Sequence, residues 1–159
     1  MAQPGEWTAD RVSALLSGAG PTVLRRMSAG LVVLGEDHDC CVLVTDDPHV
    51  GQLSDLPRER RLHFLDDLDR LGEAVHNVCA RRPGGSGWVD LHIHGRPDGV
   101  LHAHVRPIHR GDGQARALVR EQLIEELESI EAAAKAEYAP NHVYGPGFAE
   151  GRLRDPRSE

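Results

Sequence analysis

Residues Trp88–Arg110 read WVDLHIHGRPDGVLHAHVRPIHR. Polar and apolar residues alternate on both sides of a short break. From Trp88 to His94, Asp90, His92 and His94 fall on one face, and Val89, Leu91 and Ile93 on the other. From Val100 to Arg106, Val100, His102, His104 and Arg106 share a face, opposite Leu101, Ala103 and Val105. A period of two marks half-buried strands, and Gly95-Arg96-Pro97-Asp98-Gly99 between them marks a tight connection. The stretch is therefore a β-hairpin. With 95–99 as its loop, His94 faces Val100, His92 faces His102 and Asp90 faces His104. Opposed side chains lie roughly 4.5–5.5 Å apart at Cβ. Another register changes the partners, but each strand keeps its polar set on one face.

A single histidine on a strand is ordinarily structural. Four at alternate positions of paired strands, with Asp90 beside them and Arg106 at the end, point to a site instead. Read from the residues alone, the face allows a metal site. Asp90, His92, His94, His102 and His104 offer three or four ligands for Zn²⁺ or Fe²⁺. Two histidines and a carboxylate suit non-haem iron, and three histidines with an open position suit hydrolytic zinc.

The 159 residues suffice for one domain with a real core, at 40% hydrophobic composition. A net charge of −7 without a basic block argues against a nucleic-acid surface. No apolar run approaches the ~20 residues of a membrane span, and the N-terminus MAQPGEWTAD lacks the pattern of a secretion signal. Three cysteines, Cys40, Cys41 and Cys79, have no framework spacing, so a reducing, cytoplasmic setting is expected. Cys40 and Cys41 read as small buried hydrophobes of an apolar strand.

In chain order, Thr8 caps a short helix to about Leu16, with Val12, Leu15 and Leu16 apolar. Residues 21–27, 30–35 and 40–45 read as three strands, joined too tightly for parallel crossovers. Ser54 or Asp55 caps a helix that runs to about Ala80, with Pro57 in its first turn. Its apolar stripe is Leu62, Leu65, Leu68, Leu71, Val75 and Val78. After the hairpin, residues 114–138 form a long helix with Leu118, Val119, Leu123, Leu127, Ile130 and Ala134 as its stripe, for core packing or a dimer interface. The order helix, three strands, helix, two strands, helix gives an α+β fold with an antiparallel five-stranded sheet. One domain covers residues 1–139, and 140–159 form a Gly- and Pro-rich tail.

Val100-Leu-His102-Ala-His104-Val-Arg106-Pro107 resembles the histidine triad (HIT) family, whose motif is His-φ-His-φ-His-φ-φ with φ apolar. Trp7-Thr-Ala-Asp-Arg-Val, Pro21-Thr-Val-Leu, Met27-Ser-Ala-Gly, Val33-Leu-Gly35 and Asp55-Leu-Pro are similar, in order and spacing, to a bacterial branch often labelled diadenosine polyphosphate hydrolase. The likeness covers about residues 7–108. It implies an enzyme that hydrolyses or transfers a nucleotide or related phosphate ester through a nucleotidyl-histidine. It also implies no required cofactor, and often a homodimer. By position Val100 replaces the first histidine of the motif, His102 is the implied nucleophile, and His104 orients or polarises the phosphate. Asp90, His92, His94 and Arg106 are then the substrate-binding lining.

The lining departs from the branch. Asp90 stands where an Asn is common, and His92 and His94 stand where relatives have Glu and Leu. A carboxylate beside a bound phosphate is repulsive, on the order of 1–4 kcal/mol at ~4 Å; beside a cation it is favourable. The changed lining also admits a protein that binds nucleotide without turnover.

Overall fold

The computed structural model describes residues 6–18, 23–84, 87–108 and 117–137. The expected tail at 140–159 and both ends of the last expected helix lie outside these residues. Among these residues, three α-helices, α1 (Ala9–Leu16), α2 (Arg58–Ala80) and α3 (Arg120–Glu137), accompany five strands. The strands are β1 (Arg25–Arg26), β2 (Gly30–Leu34), β3 (Cys41–Thr45), β4 (Val89–His94) and β5 (His102–Pro107). All neighbours are antiparallel, in the order β1-β2-β3-β5-β4. The α+β class and the five-stranded antiparallel sheet are as the sequence predicts.

Each helix begins where local chemistry allows. Thr8 Oγ1 accepts the Arg11 backbone N–H, and this cap sets α1. At α2 the expected cap is wrong. Pro57 takes the cap position and offers no side-chain bond. The Asp55 carboxylate instead accepts the N–H groups of Gly51 and Gln52, in a 3₁₀ turn ahead of the helix. The buried stripe of α2 also starts elsewhere. Phe64, Leu68, Leu71, Val75 and Val78 recur at four and three and are buried, whereas Leu62 and Leu65 are exposed. A 3.6-residue period puts 62 and 65 off the face that Phe64 defines.

The sheet is covered on both sides. Val32, Cys41, Leu43, Leu101, Ala103 and Val105 pack under α2, with Leu123 and Leu127 of α3 beyond. On the opposite side Trp7, Val12 and Leu15 cover Leu31, Val33, Val42 and Val44. This second cover is short. α1 lies over β2 and β3 and leaves the same side of β5 and β4 open.

The hairpin forms with a different register. Val89 pairs with Pro107, Asp90 with Arg106, His92 with His104 and His94 with His102. The connection is longer than the predicted 95–99 because residues 100 and 101 bond elsewhere. Val100 N–H donates to the Trp7 carbonyl at 3.0 Å and Leu101 N–H to the Val50 carbonyl at 2.8 Å, while the Leu101 carbonyl accepts from Thr45 at 3.1 Å. The shift is two residues, so the faces survive and only the partners change. The loop is pinned again where Arg96 N–H donates to the Gly51 carbonyl at 2.9 Å. A Cβ on Gly51 would lie 2.6 Å from the Arg96 carbonyl oxygen, so the close approach requires glycine there.

Candidate functional site

β5 fixes the chemistry of the site because its two faces have opposite fates. Ala103 and Val105 are fully buried under α2. His102 and His104, between and before them, therefore point to the α1 side, opposite Val44 and Val42 of β3. α1 stops short, so the imidazoles line open space rather than core.

Three of the four histidines converge. Ring centroids are 5.1 Å apart for His94 and His102, 5.0 Å for His94 and His104, and 5.3 Å for His102 and His104. His92 lies 6.4 Å from His94 and opposite His104, at the outer edge of the group. Asp90 is not among them. In the observed register it faces Arg106, two residues farther along β4, and Arg106 reaches Asp39 at 3.8 Å. These charges form the far end of the face.

Among the described residues, no group of three or more His, Cys, Asp or Glu side chains is arranged to hold a metal ion. Two features explain this. Asp90 is displaced by the register, and the His94 and His102 rings are stacked at an interplanar angle of 11°. Imidazole lone pairs lie in the ring plane, so two stacked rings cannot aim at one ion. The donors of the proposed Asp90, His92, His94, His102 and His104 set do not fit a shared metal as placed.

His102 has a defined tautomer. Its Nδ1 is 2.8 Å from the Val100 carbonyl of its own strand, so Nδ1–H donates and Nε2 keeps the lone pair. Burial lowers its pKa, against the Val100 bond, which raises it; His94, Arg96 and Arg11 lower it further. The His104 pKa is pushed down to about 4, chiefly by burial, then by His102, His94 and Arg106, with Asp39 opposing. Both rings are neutral at pH 7. The Cys40 Sγ lies 3.9 Å from His104 Nδ1, and burial raises this thiol's pKa, so it stays protonated.

The histidines open into a cavity of about 220 Å³. His94, His102 and His104 line one part, Trp7 and Thr8 another, and Glu6, Arg96 and Asp98 carry its remaining charges. Trp7 is buried, with its ring centroid 6.4 Å from that of His102 and the Arg11 guanidinium 4.0 Å over its face. A wider trough between α2 and α3 is lined by the solvated acidic face of α2 and holds none of the clustered histidines.

Glu6, Trp7 and Arg96 are absent from the sequence-predicted site. Trp7 and Glu6 are distant in sequence, and nothing local announces them. Arg96 carried a signal: it continues the alternation Asp90, His92, His94, although the Gly-Arg-Pro-Asp-Gly run reads as a plain turn.

No family model matches the chain, and no curated protein does. Solved structures do. A Zn-bound histidine triad family protein from Mycobacterium smegmatis matches with a TM-score of 0.54 at 20% identity, over 78% of this chain and 94% of that one. A histidine triad protein from Marinobacter aquaeolei VT8 matches with 0.53 at 16% identity, over 81% and 98%. A Hit-like protein involved in cell-cycle regulation from Bartonella henselae, with an unknown ligand, matches with 0.51 at 15% identity, over 76% and 92%. At these identities the likeness is one of architecture, and the chain has the fold of histidine triad proteins.

Proposed function

We propose that the protein is a HIT-type hydrolase or transferase acting on a nucleotide or related phosphate ester, with His102 as nucleophile. The observation that carries this reading is the 2.8 Å contact between His102 Nδ1 and the Val100 carbonyl. It leaves an unprotonated Nε2 on a ring that burial keeps neutral and that borders the cavity. A neutral imidazole is a competent nucleophile near pH 7, and the charge it gains is offset by the phosphate. Nε2 attacks the phosphorus, an N–P bond forms, and the bond to the leaving group breaks with its electron pair. Water then attacks the same phosphorus, the N–P bond breaks, and His102 returns to its starting form. His104 and His94, within 5.0–5.3 Å of His102 and each other, supply N–H groups to the non-bridging oxygens.

Incubation with a nucleoside phosphoramidate or a dinucleoside polyphosphate tests the reading. Nucleotide is released by the wild type and not by His102→Ala. Equal inertness of both across a broad nucleotide panel overturns it. Tight nucleotide binding without product would make the protein a non-catalytic holder on the same scaffold.

The metal reading keeps one support. Zn–N bonds of roughly 2.0–2.1 Å place tetrahedral imidazole centroids about 5 Å apart, close to the spacings here, and the Mycobacterium smegmatis neighbour is Zn-bound. His94 would have to turn out of its stack to join such a site.

A second copy is the partner we favour. β4 is an edge strand of the sheet, Leu91 and Ile93 on it are exposed, and so is Trp88 just before it; such an edge invites pairing. A cytoplasmic setting fits the three buried free cysteines. No helix among the described residues is long and apolar enough to cross a membrane.

A further inference from the structure

We propose that Arg96 is a specificity residue that binds a second anionic group of the substrate, so that a nucleoside diphosphate or a longer phosphate chain is preferred over a nucleoside monophosphate. The inference rests on the reading of His102 as the phosphate-handling centre, and it assigns the rest of the same cavity.

The imidazoles at the strand ends can hold one phosphate, but the cavity continues past them along the loop to Arg96. Arg96 extends the row Asp90, His92, His94 by one more step. Its backbone is held on both sides: its N–H donates to Gly51 at 2.9 Å, and its carbonyl accepts from Gly99 at 3.4 Å. The guanidinium therefore starts from a fixed point. It reaches across the cavity wall and donates to Glu6 Oε1 at 3.1 Å.

That contact is an exposed ion pair, which water and salt weaken and which a better acceptor can replace. A guanidinium binds phosphate oxygens in a bidentate fork, which a single contact to Glu6 does not use. Glu6 thus stands where a substrate anion would bind. Asp98 lines the same cavity. With Arg96 removed, both carboxylates repel an incoming dianion without the guanidinium beside them. Arg11 does not fill this role, since its guanidinium lies on Trp7 and donates to the Glu6 backbone carbonyl.

The experiment is calorimetric titration of the intact chain with AMP and ADP, and in parallel with inorganic phosphate and pyrophosphate, at fixed pH and ionic strength. The wild type binds the diphosphate member of each pair about tenfold tighter, Arg96→Gln brings that ratio to within about twofold, and Glu6→Gln raises it. If Arg96→Gln weakens both members of a pair equally, Arg96 serves the shared phosphate or the loop, and the proposal fails. It fails also if the ratio is unchanged or never present. Discrimination of pyrophosphate without binding of either nucleotide would uphold Arg96 and overturn the nucleotide reading, and Arg96→Lys, which keeps the charge without the fork, separates charge from geometry.

Discussion

The α1 side of the sheet has two halves that differ only in whether a helix covers them. Under α1, Val42 and Val44 of β3 are buried against Trp7, Val12 and Leu15. One strand over, at the positions paired with these valines, stand His104 and His102. The covered half is packed core, and the open half carries the proposed site. The boundary runs between two hydrogen-bonded strands. β5 serves both: Ala103 and Val105 anchor it in the core, and the imidazoles between them inherit a fixed position without spending any apolar burial of their own. A site on a strand clamped from behind keeps its geometry.

Substitutions across this boundary should separate. The largest expected effect is on the open half, where His102→Ala reduces turnover by at least about 10³-fold, as expected for loss of a nucleophile. It changes thermal stability little, and a matched melting curve checks this. On the covered half, Leu31→Ala lowers unfolding free energy by about 2–5 kcal/mol, and Val42→Ala by about half of that, because each leaves a cavity in a closed core. Denaturant titration reads both. Val42→Ala paired with His104→Ala is the sharper test: neighbouring positions on one face, the first predicted to cost stability and the second activity.

The pH dependence follows from the same boundary. His104 has a folded pKa near 4, below its ordinary value of 6.5, because burial disfavours its charged form. Above pH 6.5 neither state binds the proton. As pH falls from 6.5 toward 4, only the unfolded chain takes it up, so stability declines. The loss is on the order of 1–2 kcal/mol after solvent screening, and it is smaller in His104→Gln. Bound phosphate has the opposite preference and draws protons onto the imidazoles, so phosphate affinity rises over the same fall in pH; a metal on these nitrogens would show the reverse. At the sheet's edge the expected effect is smallest for catalysis. Ile93→Lys shifts a self-associated species toward monomer in sedimentation velocity, and turnover per chain stays within about twofold.

Much of this was legible in the sequence because period-two alternation survives any even shift of register. The polar face of the hairpin and the pairing of β4 with β5 follow from it, while the first three strands are legible as short apolar runs joined too tightly for parallel crossovers. The partners did not follow, since the loop length was set by Trp7 and Val50, which capture residues 100 and 101 from distant parts of the chain. That one long-range event removes Asp90 from the histidines and dissolves the carboxylate half of the metal set. The α2 stripe was misplaced for a related reason. Leu62 and Leu65 are apolar, but Phe64 fixes the buried face, and a pattern of many leucines admits two phases. Arg96 was hidden by turn-forming neighbours, and Glu6 and Trp7 by sequence distance.

The most direct test of the account is capture of the covalent intermediate. Wild-type protein is mixed with a nucleoside phosphoramidate, quenched under alkaline conditions that preserve phosphohistidine-type bonds, digested, and analysed by mass spectrometry. The account predicts a nucleotidyl group on the peptide that carries His102, labile to acid and absent from His102→Ala. Release of nucleotide by His102→Ala at the wild-type rate, or an adduct on any other residue, would contradict it.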